Sequence, residues 1–460
     1  MIGNIGVFVG LGLLIVLALR GVNILIASLV SAMVVAVTNS DSVVQVLTGD
    51  YVPGMMDFAG KYFMLFLTGA VFGGVMGESK AAASIADKLS KKLGDDRALL
   101  IIVAACAILT YGGVNVFIVV FTLYPLGLNL LRSANLPKRL FVCAKVIGAG
   151  TFTMTALPGS PSIHNNIAAE ELGTSLVAAP WLGILGAVIM CGLGVAYLEW
   201  QRKVAIRRNE GFVPGPNDVF PATEEEQASM PPWLRSSVPL LAVLATILVP
   251  LWIGRLMQLP GDAPGGTASA FKSVLIFARD EPSTWTCIAL VMGTVIALLL
   301  FRPHVTSARD TLGRGAASCA LPLLNTAAVI GFGTVVRTTA VFDTFADLML
   351  HSRLPPLVSA AISVNIISGI VASASGGLSI WMSSLAQYYL DAGVPPEVLH
   401  RVVTMAAGGL DTLPHCGAVI TTFTIVGVTH REAYKDVAVV SVVIPIVAVI
   451  VVLAAALFFG

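Results

Sequence analysis

Charge is scarce in this sequence. Asp, Glu, Lys and Arg make up 12% of its 460 residues, against 56% hydrophobic residues and a mean hydropathy of +0.88. That balance excludes a soluble multi-domain protein and places the chain among polytopic membrane proteins. Net charge is missing too. At +1 no global field attracts nucleic acid, so individual Lys and Arg matter for where they fall between apolar runs. Cysteine is sparse: Cys106, Cys143, Cys191, Cys287, Cys319 and Cys416 are scattered, mostly inside apolar segments, with no C-x-x-C spacing, which argues against a disulfide framework or a zinc site. No G-x-S-x-G, H-E-x-x-H, P-loop or nucleotide fingerprint occurs in a usable context. Neither an enzyme nor a cofactor is expected, and the lack of a soluble ATPase domain argues against a primary pump. The first apolar segment, residues 5–19, lacks a basic n-region and a cleavage site; with residues 22–37 it reads as a retained membrane helix rather than a signal peptide.

What the sequence does hold is a succession of apolar runs near the ~20-residue length of a membrane span. They fall at roughly 4–20, 21–38, 60–77 and 181–200, then at 237–256, 284–301, 318–341 and 434–459. Basic residues at 20, 78–97, 132–139, 202–208 and 302–314 mark the cytoplasmic side, whereas Arg337, Arg353 and Arg401 fall on segments assigned to or toward the periplasm. Residues 78–97 combine Ala, Ile and Leu at helical spacing with Lys80, Lys88, Lys91 and Lys92, the pattern of an amphipathic helix on the cytoplasmic surface. Residues 209–235, rich in Pro, Glu and Asn, read as a cytoplasmic linker between two halves, 1–208 and 236–460.

Each half carries two interruptions. The stretch 98–131 is too long for one span and holds T-Y-G-G-V-N at 110–115, with basic residues at both ends. It reads as a re-entrant hairpin with Gly112 and Gly113 at the tip, two short spans or one kinked helix being the alternatives. Residues 357–390, broken by S-A-S-G-G-L-S at 373–379, form the second hairpin. A helix from about 140 runs into T-F-T-M-T-A-L-P-G-S-P-S-I-H-N (151–165), followed by a loop with Glu170 and Glu171; another, from about 399, runs into G-G-L-D-T-L-P-H-C-G (408–417). Gly112 and Gly113 answer Gly376 and Gly377, and Leu157 and Pro158 answer Leu413 and Pro414, at separations of about 256 to 264 residues. With five crossings and one hairpin per half, the second copy is inverted. The expected fold is therefore an all-α polytopic membrane protein of inverted repeats, with about ten transmembrane helices and two re-entrant hairpins. Polar breaks at matching positions mark a transporter whose site lies between the repeats near the midplane.

The residue types at the breaks point to a small anion. Candidate substrate-binding residues are Thr110, Gly112, Gly113 and Asn115 at the first tip and Thr155, Gly159, Ser160 and Ser162 at the first break. Ser375, Gly376, Gly377 and Ser379 at the second tip, and Thr412 at the second break, complete the set. Glycine lets backbone approach a ligand, Ser, Thr and Asn supply neutral partners, and half-helix N-termini favour negative charge. Paired arginine forks for a di- or tricarboxylate are absent from the tips. Asp411 precedes His415 by four residues, and protonation of either would couple to anion binding; the alternative is a helix cap and a surface histidine, with Pro414 between them. Lys145, about six residues inside its helix, reads as snorkelling to the interface. Arg337 and Asp343 read as an interfacial pair, and His164 either as a substrate contact or as a surface-loop histidine.

The element T-F-T-M-T-A-L-P-G-S-P-S-I-H-N followed by E-L-G-T, and preceded by Y-G-G-V-N-V-F, resembles the gluconate permease family, part of the larger ion-transporter superfamily of secondary carriers. The resemblance extends over nearly the whole chain. It implies proton-coupled uptake of small hydroxylated acids such as gluconate; some similar proteins are linked to 3-hydroxybutyrate or D-serine, and others are regarded as Na⁺/H⁺ antiporter-like. It also implies an elevator mechanism, in which a transport domain carrying the hairpins slides against a scaffold domain, commonly in a homodimer. The resulting expectation is a bacterial inner-membrane symporter for a gluconate-like sugar acid or a hydroxy monocarboxylate such as 3-hydroxybutyrate. Its partners are the organic anion, the lipid bilayer and a second copy of the chain, with no nucleic acid, and its coupling ion is H⁺ or Na⁺. A Na⁺/H⁺ antiporter is the first alternative and a passive channel the second.

Overall fold

Long apolar runs have no choice in a medium without water but to close their backbone hydrogen bonds internally, and helices do so within one segment. The computed structural model describes residues 2–20, 22–39, 42–93, 97–114, 116–215, 218, 230–257, 270–305 and 307–459, and they form helices with no strand among them. In chain order these are α1 (Ile2–Leu19), α2 (Ile24–Thr38), α3 (Val43–Glu78), α4 (Ala81–Leu93), α5 (Ala98–Tyr111), α6 (Val116–Ser133), α7 (Arg139–Gly150), α8 (Ile163–Glu171) and α9 (Pro180–Arg207). After the linker come α10 (Trp233–Leu256), α11 (Ala270–Asp280), α12 (Pro282–Leu300), α13 (Ala308–Arg337), α14 (Ala340–Leu350), α15 (Pro356–Val371), α16 (Ala374–Asp391), α17 (Pro396–Ala407), α18 (Gly417–Val426) and α19 (His430–Phe458). Among the described residues six helices are long and apolar enough to cross a membrane: α3, α9, α10, α12, α13 and α19. Further apolar segments of α1, α2, α5, α15 and α18 are shorter.

The packing partners recur between the halves. α1 lies on α2 as α10 lies on α12, and α2 meets α13 as α12 meets α3. α5 packs on both α6 and α7, as α15 does on both α16 and α17. Across the halves, α8 meets α16 while α18 meets α6. Two further pairings join the halves, α3 with α13 and α9 with α19. The α3–α13 crossing is close because small residues lie at it: a Cβ on Gly315 would come within 2.9 Å of the Val71 Cα, and one on Gly331 within 2.7 Å of the Tyr51 carbonyl.

α4 is amphipathic as its sequence indicates, yet its apolar face has protein to cover it. Ala81, Ala82 and Ile85 are buried against neighbouring helices, and Ser84 donates to the Pro231 carbonyl. Glu170 and Glu171 belong to the last turn of α8 rather than to a loop, where both pair with Lys61 of α3. Of the linker, residues 216–217 and 219–229 lie outside the described residues, as do residues 258–269 of the long segment before α12.

The described part of the linker is tied down by charge. Arg139 at the start of α7 binds Glu210 and also Asp436 of α19. Beside it the nearly buried Lys138 and Asp218 pair at 3.2 Å, and Tyr124 of α6 donates to both Asp218 and the Val426 carbonyl. Burial works to raise the Asp218 carboxyl, but the Gly215 N–H, the Tyr124 hydroxyl and the Lys138 ammonium outweigh it and hold it below its ordinary 3.8. A carboxyl depressed by folding adds stability above its unfolded pKa and loses it as pH falls through the folded one. Asp218→Asn should therefore cost about 1 kcal/mol near neutrality. The gap between its melting curve and the wild type's, measured in detergent, should stay constant down to about pH 5 and close below pH 4.

Candidate functional site

Two chain reversals and two helix breaks form the polar interior. At the first reversal α5 ends in a Schellman turn: Val114 N–H bonds the Leu109 carbonyl and Gly113 takes φ +95°. The second hairpin uses the same turn, with Ser373 N–H on the Ser368 carbonyl, but the residue in the left-handed region is Ala372 at φ +50°. The reversal thus falls at Ala372 and Ser373, before the Gly376 and Gly377 expected at the tip. Those glycines lie in the first turn of α16, where a Cβ on Gly377 would meet Ser368 backbone at 2.4 Å. Gly112 and Gly113 have apolar surroundings in Leu240, Leu290 and Val243, with Pro161 of the first break beside them. Asn115 lies outside the described residues.

The hydroxyls of the first break are largely spent on its own backbone. Thr151 donates to the Ile147 carbonyl, Thr153 to Gly148, Thr155 to Thr151, Ser160 to Thr153 and Ser162 to Met154. Ser162 also caps α8 by accepting from Asn165 N–H, and Tyr111 of the first hairpin donates to the Pro158 carbonyl. Gly159 N–H is taken by the Leu176 carbonyl, in a niche formed by Leu248 and Val177.

Two residues that local pattern did not single out complete this seal. Arg401 of α17 is fully buried, and its guanidinium donates to the carbonyls of Ala156, Leu176 and Ala178 at 3.0–3.2 Å. One turn of charge thereby ties the second half's broken helix to the first half's break. His400, also fully buried, bridges Asn165 Oδ1 at 2.8 Å and Thr174 Oγ1 at 2.6 Å, while Asn165 Nδ2 holds the Ser160 and Leu176 carbonyls. The burial of Arg401 explains why it escapes the basic-residue bias. The available signal was an ionisable pair, His400 and Arg401, inside an otherwise apolar helix.

The second break differs. The Asp411 carboxyl lies near the backbone N–H of Ala374 at the N-terminus of α16, where negative charge is favoured. His415 lies against Gly369 and Ile370 at the C-terminal end of α15, so the two side chains straddle the second tip. Thr412 pairs with Ser441 at 2.7 Å, on a π-helical turn of α19, and Tyr434 donates to the Thr412 carbonyl. Several buried polar atoms here have no protein partner: Asn365 Oδ1, Ser368 Oγ and His415 Nε2. Thr110 Oγ1 and His164 Nδ1 share that condition on the first-half side. Ser375 is buried near Ser373, and Ser379 is half-buried one turn on. The two breaks touch, since a Cβ on Gly408 would reach Thr155 at 3.0 Å.

Lys145 does not snorkel. It is 4% exposed, and its ammonium donates to Thr422 Oγ1 of α18 at 3.1 Å. The interfacial pair expected of Arg337 and Asp343 is replaced by an Arg337 bond to Ser383 of α16. His164 is buried in the first turn of α8 rather than in a surface loop.

Removing the Arg401 fork would orphan the Ala156 and Ala178 carbonyls, whereas the Leu176 carbonyl would keep the Gly159 N–H and Asn165 Nδ2. Arg401→Met should cost about 3 kcal/mol in detergent thermal unfolding. Arg401→Lys, a point charge without the fork, should restore little of it.

A model of the family described as GntP family permease matches residues 3–458. An uncharacterized transporter of Bacillus subtilis, YxjC, is 37% identical over 454 residues, covering 94% of both chains. An uncharacterized transporter of Haemophilus influenzae is 26% identical over 358 residues, 76% of this chain and 74% of that one. Among solved structures, the YdaH transporter of Alcanivorax borkumensis superposes with a TM-score of 0.53 at 16% identity, covering 89% of this chain and 88% of that one. MtrF of Neisseria gonorrhoeae, described as illuminating a class of antimetabolite efflux pumps, gives 0.52 at 14% identity over 89% and 83%. At such identities these two likenesses concern the fold alone.

Proposed function

The chain belongs to the GntP family of permeases and is a multi-pass membrane transporter, and on that premise we propose that it is a proton-coupled symporter of a small organic acid. The substrate is a gluconate-like sugar acid or a hydroxy monocarboxylate such as 3-hydroxybutyrate, and the protein works in the bacterial inner membrane. The observation that carries this reading is the unpartnered polar cluster at the second tip: Asn365, Ser368 and His415 around Asp411. Buried polar groups are normally paired. An exception gathered at the tip where α15 ends and α16 begins is what a ligand with hydroxyls and one carboxylate would complete.

The coupling follows from competition for one positive end. While ionised, the Asp411 carboxylate faces the N-terminus of α16; a substrate carboxylate seeks the same N-terminus, and two anions there repel. A proton on Asp411 removes the repulsion, so proton and anion bind together. Thr155, Ser375, Ser379 and Thr412 are the further contacts we assign to the anion's hydroxyls, with Thr110, Gly112 and Gly113 positioning the opposite hairpin.

An elevator movement of inverted repeats accommodates this site. The recurring helix partners support a two-fold relation between the halves, and arms of 14 and 16 residues, α5 and α15, reach only about 21–24 Å, short of a ~30 Å hydrocarbon core. In this reading α1–α3, α10, α12 and α13 are the scaffold, paired with a second copy, and the hairpins with both broken helices are the moving part. A cation/proton antiporter is the second reading, favoured by the Asp411 and His415 pair at one tip.

Purified protein in proteoliposomes with an imposed pH gradient tests both. Labelled gluconate or 3-hydroxybutyrate should accumulate with the gradient, and uptake indifferent to it would defeat the symport reading; Na⁺-driven pH change without organic acid would favour antiport. Asp411→Asn should leave counterflow exchange measurable and lower gradient-driven accumulation at least tenfold.

A further inference from the structure

The second break is held from one side of α19. His430 Nε2 donates to the Pro414 carbonyl at 3.0 Å, the Tyr434 hydroxyl donates to the Thr412 carbonyl at 3.3 Å, and Ser441 Oγ meets Thr412 Oγ1 at 2.7 Å. Positions four and seven residues apart share a helix face. The His430 ring is braced in turn by the rings of Phe423 of α18 and Tyr434, whose centres lie 4.9 and 6.0 Å from its own. Ser441, 1% exposed, stands at the centre of the π-helical turn Val439–Val443, a local widening frequent at functional sites.

Proton count fixes the direction of the Ser441 bonds, because a hydroxyl has a single proton to give. Ser441 Oγ lies 2.7 Å from the Val437 carbonyl, which only accepts, so the serine proton goes there. The contact with Thr412 is then a hydrogen bond only when Thr412 donates. Among the described residues the Thr412 hydroxyl meets no hydrogen-bonding group except Ser441. Thr412 is half-buried, and what its side chain offers the interior of the break is lone pairs and no proton. Beside it, α15 lies on the residues that lead into Asp411 and Thr412: a Cβ on Gly409 would fall 2.2 Å from the Asn365 amide, and one on Gly369 would fall 2.8 Å from the Leu410 side chain. Asn365 Oδ1, an acceptor too, is buried there without a partner.

Acceptors left without a donor recognise a proton, not a lone pair. We propose that the second break selects its acid by an O–H group, and that Ser441 is the positioning residue that holds Thr412 in the accepting state. A hydroxy acid donates to Thr412 Oγ1 or Asn365 Oδ1. Its keto counterpart has the same carbons and the same carboxylate, yet it brings a carbonyl oxygen against a lone pair and leaves both acceptors unmet. A site built to bond a substrate hydroxyl rejects the analogue lacking it strongly, because its own buried polar groups then stay unpaired. Without the Ser441 hydroxyl the Thr412 O–H turns freely and donates to a carbonyl, and the distinction is lost.

The inference rests on the symporter reading of the same break, and the experiment separates the two. Thermal-shift midpoints on full-length protein are measured for 3-hydroxybutyrate, for acetoacetate as its keto counterpart, and for gluconate. The wild type should bind 3-hydroxybutyrate at least about tenfold more tightly than acetoacetate. In Ser441→Ala the gap should shrink to about threefold or less, chiefly because acetoacetate binds more tightly, a gain that mere loss of structure would not produce. Ser441→Thr, which keeps the hydroxyl, should restore the gap. Wild-type protein that binds none of the three acids would sink the symporter reading and the inference with it. Equal binding of 3-hydroxybutyrate and acetoacetate by the wild type, or a Ser441→Ala protein that keeps the wild-type gap, would overturn the inference alone. Should Ser441→Ala not fold, Thr412→Val, which removes the acceptor and leaves α19 intact, should erase the gap, and a gap retained there overturns the inference as well. If the wild type takes gluconate and neither four-carbon acid, Thr412→Val should raise the gluconate midpoint at least about tenfold, and an unmoved midpoint is the contrary result.

Discussion

A helix interrupted in the interior of a membrane protein releases carbonyls and N–H groups that have no water to turn to. The guanidinium of Arg401 meets that constraint for the first break, holding the carbonyls of Ala156, Leu176 and Ala178 from a helix of the other half. Arginine suits the task because its planar fork spreads donors in fixed directions and its charge is shared among several acceptors. Around it the hydroxyls of Thr151, Thr153, Ser160 and Ser162 and the amide of Asn165 close the remaining groups. The first break is thereby made rigid, and it fixes the position of α17 against α8.

That rigidity gives the second break something to work against. α17 leaves its Arg401 anchor and unwinds at Gly408, next to Thr155, so the loop with Asp411 and His415 is set from the first half. There the accounting is incomplete: Asn365, Ser368 and His415 carry buried atoms without a protein partner. The chain also bends at Ala372, a residue with a Cβ held in the left-handed region, which costs about 1 kcal/mol relative to glycine. Unmet hydrogen bonds and local strain in one place, beside a first break whose hydroxyls are largely spent on its own backbone, distinguish a place of binding from a place of support.

Charge is distributed by the same logic. Lys61 with Glu170 and Glu171 at one end, and Arg139, Lys138 and their acidic partners at the other, are matched by opposite charge. Lys145 alone among them is buried without an acidic partner in reach.

From sequence alone the membrane class, the helical segments and the places where they break are legible, because hydropathy and Pro or Gly interruptions act within a few residues of themselves. Helix ends at Tyr111, Gly150, Val371 and Ala407 fall where Gly, Pro and polar residues interrupt the apolar runs. The chemistry was less legible. Ser160 and Ser162 have the right side chains to hold a ligand, yet the loop folds so that its own carbonyls claim them. Lys145 has the length to reach an interface, yet α18 packs over it. Arg401, His400 and Asn365 acquire their roles from partners more than two hundred residues away or from the lack of any. Which polar residues are consumed and which are left over is decided by packing between the two halves, and only the tertiary structure brings those halves together.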